Sequence, residues 1–231
     1  MNKTIYWANL TKLQSSQLEL KPLLADLAQS QANHKGGNFV ACPAISSKHK
    51  NTFVSTIPYD LSVKFYDNKL FTSDTKVTKR EGLYDNSYAF DWGLSRIFFS
   101  KEPQLMETSP AFLHKTSYYK YGHAPSGAFD ISQWFRPSNP TFQLWSGETD
   151  FIAKAGEAHL YFNFPSEHKI NFEQFAMSDR LNEIMFTCVN YKVGKPKQQL
   201  PSVYNMFVES GLREETLLEI KNNLITPKLK S

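Results

Sequence analysis

The chain lacks the features that mark several large protein classes. Its 231 residues include two cysteines, which are too few for a disulfide framework. No apolar run approaches the roughly 18 residues that a membrane-spanning helix needs, and the N-terminal stretch MNKTIYWANLTKLQ contains no apolar segment of a secretory signal. These absences predict a soluble, intracellular protein without a membrane partner.

Charge and cysteine usage narrow the setting further. Cys42 and Cys188 both lie in apolar stretches, where a free cysteine is usually buried; we therefore expect buried thiols and a cytoplasmic location. The net charge is +4, from 26 basic and 22 acidic residues. The densest basic clusters, KVGKPK (192–197) and the C-terminal KLKS, are short, which disfavours a nucleic-acid partner.

Signatures of common enzyme classes are also missing. The chain contains no Walker phosphate loop, no dinucleotide-binding glycine fingerprint and no Gly-x-Ser-x-Gly elbow. It lacks the His-x-Asp or His-x-Glu pair that a strand supplies to a facial iron triad, and it lacks His-Glu-x-x-His. The sequence thus predicts no standard metal site and no cofactor, and it leaves open whether the protein is an enzyme.

Aromatic residues, in contrast, are abundant: they make up 14% of the chain and include 18 phenylalanines, which predicts a well-packed core. Strand-like segments follow one another closely from residue 38 to about 173. LSVKFYD (61–67) and KLFTS (69–73) indicate a hairpin. NFVACPAI (38–45) and FLHKTSYYKYG (112–122) are typical of strands, whereas KEPQLMETSP (101–110) is typical of a loop. This spacing predicts an antiparallel β-sandwich or jelly roll.

The C-terminal part changes to helical periodicity. Three helices are predicted there: SDRLNEIMFTCVNYK (178–192), SVYNMFVESG (202–211) and REETLLEIKNNL (213–224). One earlier helix, which starts near a proline, is predicted over KPLLADLAQSQ (21–31). The fold class expected is mainly β (α+β), in one domain over residues 1–231. A β-rich body (1–175) would carry a C-terminal segment (176–231) of two to three helices packed on it.

GAFDISQWFRP (127–137) is the stretch richest in candidate functional residues. In one interpretation it is a half-buried strand, in which Arg136 pairs with Asp130 or another acid before Pro137 ends the strand. In the other, Asp130, Trp134 and Arg136 line a cleft where the arginine holds a carboxylate or phosphate of a ligand. We favour the first interpretation, and the second defines the residues to examine.

The histidines offer only a non-standard metal set, made of His123, Asp130 and His159. In EAHLYFNF (157–164), three bulky apolar residues alternate with His159 and Tyr161. The alternation predicts that His159 and Tyr161 lie on the face away from the core, towards solvent or a second layer. Structural or surface histidines are therefore the simpler interpretation.

A resemblance adds a biological setting. DISQWFRPSNPTFQL and AGEAHLYFNF, with ACPA and NTFVSTIPYDL upstream, resemble segments of uncharacterised proteins from tailed phages of marine bacteria, including T4-like cyanophages. A bacterial family of unknown function has a similar layout. The likeness covers roughly residues 38–185. It implies a phage protein that works in the host cytoplasm or in the virion, and it brings no activity and no site residue with it.

Three hypotheses follow for the function. The first is a non-catalytic binding or structural module for a host protein, a phage protein or a small ligand, with Asp130, Trp134, Arg136, His123, His159 and Tyr161 as ligand-binding residues. Exposed aromatics such as Trp134, Trp145 and Tyr161 would support it. The alternative is a jelly-roll metalloenzyme, cupin-like or of the iron/2-oxoglutarate type, with atypical ligands. A nucleic-acid binder is the third, and the oligomeric state stays open.

Overall fold

The computed structural model describes residues 2–10, 20–31, 41–72, 74, 76–195 and 197–225. Its strands, in chain order, are β1 (Asn2–Asn9), β2 (Lys21–Pro22), β3 (Thr52–Thr56), β4 (Leu61–Tyr66), β5 (Lys69–Thr72), β6 (Thr78–Glu81), β7 (Tyr88–Asp91), β8 (Arg96–Phe99), β9 (Leu105–Pro110), β10 (Gly122–His123), β11 (Gly127–Asp130), β12 (Pro137–Ser138), β13 (Thr141–Leu144), β14 (Asp150–Ala153), β15 (Ala158–Asn163) and β16 (Lys169–Gln174). Its helices are α1 (Leu23–Gln31), α2 (Pro43–Lys48), α3 (Asp179–Gly194), α4 (Leu200–Glu209) and α5 (Leu212–Asn222).

Within these residues the strands pair into four sheets. Their strand orders are β12-β8-β1-β16, β10-β13-β7-β6, β11-β9-β15-β3-β2 and β14-β4-β5. Every described pairing is antiparallel except that of β1 with β16. The prediction of a mainly β, α+β fold with C-terminal helices is confirmed.

All four sheets contribute to one aromatic core. Phe98 of β8, Phe142 of β13, Phe162 of β15 and Phe151 of β14 are buried in the same cluster. Many of its ring pairs meet edge to face, such as Trp92 and Phe151 with centroids 5.1 Å apart, a geometry that aromatic rings prefer. The abundance of aromatic residues therefore has a structural explanation.

The C-terminal helices cover a second cluster. The Ser178 side chain accepts a hydrogen bond from the Leu181 backbone N–H, which caps α3. The apolar stripe of α3 then packs, together with residues of α4 and α5, against Ile97 and Phe99 of β8. Residues of the three C-terminal helices and of β8 thus share one buried cluster. None of the helices that the structure describes has both the length and the apolar character needed to cross a membrane.

The predicted hairpin is present as β4 and β5. Asp67 and Asn68 connect the strands with φ angles of 46° and 60°, as a two-residue turn with left-handed residues requires. Val63 and Phe65 are buried, while Lys64 between them is exposed. The alternation of apolar and polar residues in the sequence therefore predicted correctly which side chains of β4 face the core.

Residues 41–45 do not form the strand that was predicted for 38–45. Pro43 starts the short helix α2 instead, because proline has the φ angle of a first helical position and needs no hydrogen bond there. Residues 38–40 of the predicted strand lie outside the described part of the chain. Cys42, at the N-cap of α2, is exposed, so the expectation of a buried thiol is wrong for Cys42 and correct for Cys188.

Two further assignments are reversed. Residues 105–110 of the segment predicted as a loop (101–110) form β9, because their backbone pairs with β11 on one side and with β15 on the other. The segment predicted as a strand (112–122) consists mainly of turns closed by local bonds, such as that from Tyr121 N–H to Tyr118 O at 3.0 Å. Whether such a segment forms a strand depends on pairing partners that are distant in the sequence. The local pattern of residues does not reveal these partners.

Candidate functional site

Phe129, Trp134 and Arg136 line a cavity of about 250 Å³ beside β11, which we call the Arg136 pocket. Phe129 comes from β11, and the other two come from the loop between β11 and β12. That loop turns at Ser132, so Trp134 and Phe135 both enter the helix-covered core cluster. The predicted strand thus ends early, and its kink brings Arg136 beside the aromatic rings.

Arg136 stacks on these rings, and no carboxylate of the described residues pairs with it. Its guanidinium carbon lies 4.9 Å from the ring centroid of Trp134 and 5.6 Å from that of Phe129, within the range of cation–π attraction. Its Nε donates to the neighbouring Pro137 carbonyl at 3.2 Å. Among the described residues, no carboxylate lies within salt-bridge distance of it. The strand of the first interpretation is present over Gly127–Asp130, but its pairing of Arg136 with an acid is not found among the described residues.

Burial lowers the pKa of Arg136, although the charge of Asp91 opposes the shift. An arginine nevertheless keeps its proton at neutral pH. The indole Nε1 of Trp134, which is buried, has no hydrogen-bond partner in the described part of the chain. The pocket therefore presents the Arg136 cation, whereas the unused indole donor beside it has no accessible surface.

Asp130 does not line this pocket; it organises the turn after β11. Its carboxylate accepts hydrogen bonds from the Ser132 backbone at 2.8 Å, the Ser132 hydroxyl at 2.7 Å and the Gln133 amide at 2.7 Å. Burial alone would raise the pKa of Asp130, but these bonds outweigh it and keep the pKa below its ordinary value. Its predicted role in the cleft is replaced by a structural one.

His123 lies on β10, outside the lining of the Arg136 pocket. Its ring stacks on Trp145, with centroids 4.8 Å apart and planes inclined by 28°. Trp145 is 43% exposed, whereas Trp134 and Tyr161 are buried. Of the three aromatics expected at a surface, only Trp145 is there.

His159 faces the core, contrary to the alternation argument. The register between β15 and β3 shifts between Ala158 and Leu160, and such a bulge breaks the alternation of faces. The imidazole meets Trp92 edge to face, with centroids 4.5 Å apart. Burial and the nearby Arg96 cation lower the pKa of His159 to about 3, so the ring is neutral at physiological pH.

The proposed metal set is not assembled. Among the described residues, no group of three or more histidine, cysteine, aspartate or glutamate side chains could hold a metal ion. His123 packs on Trp145, Asp130 closes a turn and His159 lies in the core. The alternative hypothesis of a metalloenzyme loses the ligands that the sequence suggested for it.

Tyr161, which is buried, belongs to a chain of polar contacts with two partly buried residues. Its hydroxyl accepts from the Leu113 N–H at 3.1 Å and lies 2.6 Å from His114 Nδ1. The other ring nitrogen of His114 lies 2.9 Å from a carboxylate oxygen of Asp26 on α1. The predicted second layer over Tyr161 is therefore real, and α1 forms part of it. Sequence reasoning missed His114 and Asp26, which no local spacing connects.

A second cavity, of about 430 Å³, adjoins the first; we call it the His49 pocket. His49 Nδ1 lies 3.3 Å from the Thr52 hydroxyl, which donates to Asn163 Oδ1 at 3.1 Å. Asn163 then donates to Glu107 at 2.8 Å. Because the Thr52 proton is used on Asn163, His49 donates from Nδ1. Burial, aided by Lys48, lowers the pKa of His49.

Sequence reasoning did not find the His49 pocket. Its residues come mainly from the end of α2 and from the strands β3, β9, β11 and β15. No motif joins these segments, and the register of the sheet brings the four strands side by side.

Comparison with known proteins adds no name to these sites. No protein-family model matches the chain, and no curated protein or solved structure is significantly similar to it. The resemblance to phage proteins stays a prediction.

Proposed function

We propose that the protein is a non-catalytic binding module whose Arg136 pocket takes the carboxylate or phosphate of a ligand. The observation that carries this proposal is the Arg136 guanidinium, which lines the cavity without a carboxylate partner among the described residues. A half-buried cation is costly without a counter-ion. A bound anion would offset that cost through bidentate, charge-assisted hydrogen bonds.

The lining supports an anion with a small apolar body. Trp134 and Phe129 supply apolar walls. At about 250 Å³ the cavity is smaller than typical sites for drug-sized molecules, which start at roughly 300 Å³. It suits one acidic group with a short stem.

Titration of the protein with acetate, succinate and inorganic phosphate tests the proposal. The readout is the indole N–H resonance of Trp134, assigned with Trp134→Phe. At least one anion is expected to shift it in the wild type and in Lys69→Gln, which removes an exposed cation on β5, but not in Arg136→Gln. No shift with any anion, or an equal shift in Arg136→Gln, would overturn the proposal.

We also propose that the chain is a phage protein. The resemblance supports a module that meets its partner in the host cytoplasm or in the virion. Mass spectrometry of purified virions and of infected-cell lysates would decide between these two locations, and detection in uninfected cells alone would refute both.

A further inference from the structure

The two pockets meet at one strand. Ser126, Gly127 and Ala128, at the start of β11, line both the Arg136 pocket and the His49 pocket. β11 is the last strand of the five-stranded sheet, next to β9. Gly127 and Ala128 are exposed. A sheet edge therefore runs between the cavities.

The pockets lie on opposite faces of that sheet. Ala128 pairs with Glu107, Glu107 with Asn163, and Asn163 with Thr52. Side chains of directly paired residues share a face, so this polar row belongs to the His49 pocket. The neighbouring residue Phe129 points to the other face and lines the Arg136 pocket.

The backbone of Ala128 faces outward from the edge. In an antiparallel pair, successive residues direct their N–H and C=O alternately towards and away from the partner strand. Ile131 donates inward to Gln104 O at 2.9 Å, and Asp130 donates outward to the Tyr204 hydroxyl at 2.9 Å. Ala128, two residues before Asp130, therefore also faces outward. Outside the strand ladder, no hydrogen bond to its N–H or C=O is found among the described residues.

We infer that an extended segment of another protein, with an acidic side chain, adds to β11 as a new edge strand. The inference rests on the proposed function, because the Arg136 pocket would hold the acid. The residue opposite Ala128 would exchange two backbone hydrogen bonds with it and direct its side chain to the His49 pocket. Its neighbours would direct theirs to the Arg136 pocket. Main-chain bonds combined with pockets for alternate side chains are the recognition mode of strand addition.

Charge and size favour this partner. The Arg136 pocket has room for one acidic side chain and offers it an arginine. The His49 pocket presents Lys48, His49 and Glu107, which suits a polar residue at the alternate position. Tyr204 occupies the outward position at Asp130, so the open edge is short and the segment pairs mainly around Ala128.

The test uses a displayed library of random seven-residue peptides with amidated C-termini, selected on the full chain. Selected peptides are expected to share an acidic residue at one fixed position. Their affinity is expected to fall about tenfold or more on Arg136→Gln and on Ala128→Pro, because each loses at least one bond to the peptide. Proline is tolerated on an edge strand where its missing N–H faces outward. Lys69→Gln should bind like the wild type.

Two further measurements do not use Ala128→Pro, so they test the inference even if this variant fails to fold. On wild-type protein, a selected peptide should slow amide hydrogen exchange at Ala128 and leave that of Phe129, already in the ladder, unchanged. A peptide N-methylated at the residue opposite Ala128 should bind about tenfold more weakly.

The outcomes separate the two proposals. If small anions bind at Arg136 but no peptide is enriched, or if Ala128 exchange is unaffected, strand addition is wrong and the anion pocket stands. If neither anions nor peptides depend on Arg136, both proposals fail. A dimer of the free chain that protects the Ala128 amide would show that a second copy, and not a foreign segment, occupies the edge.

Discussion

Nδ1 of His114 lies 2.6 Å from the hydroxyl oxygen of Tyr161, and this contact connects a turn to a central strand. Burial raises the pKa of Tyr161, so the phenol keeps its proton and can donate it to His114. Nε2 then carries the ring proton and donates to Asp26 on α1. The chain of bonds fastens α1 to the five-stranded sheet.

Replacement of Tyr161 by phenylalanine tests this fastening. The loss of one hydroxyl leaves His114 and the Leu113 N–H without their partner, which should reduce the free energy of unfolding by about 1–3 kcal/mol. Amide exchange in α1 should also accelerate. Urea denaturation measures the first effect, and hydrogen exchange measures the second. Tyr66→Phe, at an exposed tyrosine, is the matched control and should change neither; an equal loss in both variants would contradict this role of Tyr161.

Local periodicity predicted the elements that depend on it. The apolar stripe of α3 and the alternation of β4 are each complete within one segment, so the sequence alone was sufficient. β9 could not be predicted, because two distant strands pair with it. His159 was placed on the wrong face because β15 has a bulge at this residue, and only its pairing with the distant strand β3 reveals that bulge.

The same distinction applies to the candidate site. Trp134 and Arg136 are two residues apart, and their neighbourhood in the sequence made them candidates. Asp26, His114 and Tyr161 come from three separate parts of the chain, so their contact exists only in the fold. Sequence reasoning finds a site whose residues lie in one segment. It misses a site whose residues come from distant segments and meet only in the folded chain.

His159 should make the protein less stable in mild acid. The pKa of this buried imidazole is about 3 in the folded chain and about 6.5 when unfolded. Between these values the unfolded state binds a proton that the folded state does not. The contribution of neutral His159 is therefore complete above about pH 6.5 and is lost as the pH falls towards 3.

The variant His159→Gln should flatten this dependence. Its free energy of unfolding should fall less steeply than that of the wild type between about pH 6.5 and pH 4, by at most about 1.4 kcal/mol per pH unit. Urea titrations across this range provide the measurement. The remaining slope includes His49, whose pKa is also lowered. His168→Gln, at an exposed histidine, should keep the wild-type slope, and identical slopes in both variants would refute the assignment.

The two cysteines should differ in reactivity. Cys42 is exposed and Cys188 is buried, where burial raises the pKa of the Cys188 thiol to about 12. Because the thiolate is the reactive form, a thiol reagent should modify the native protein at Cys42 and reach Cys188 only after denaturation. Absorbance assays before and after addition of denaturant give the stoichiometry. Cys42→Ser should abolish the native reaction; a native reaction that persists in it would show that the helix-covered cluster is open.

The orientation of β11 can be tested without a ligand through Tyr204. The Tyr204 hydroxyl accepts the outward N–H of Asp130 at 2.9 Å, so Tyr204→Phe should expose that amide and cost about 1 kcal/mol of stability. The Asp130 amide should then exchange about as fast as that of Ala128, which faces the same way. The Phe129 amide, directed towards β9, should stay slow because its ladder bond is intact. Residue-resolved hydrogen exchange of both proteins distinguishes these amides, with Tyr66→Phe as the control. If exchange of the Phe129 amide accelerates and that of the Asp130 amide stays unchanged, the inward and outward backbone groups of β11 alternate in the opposite order. Ala128 would then not direct its N–H and C=O outward from the edge.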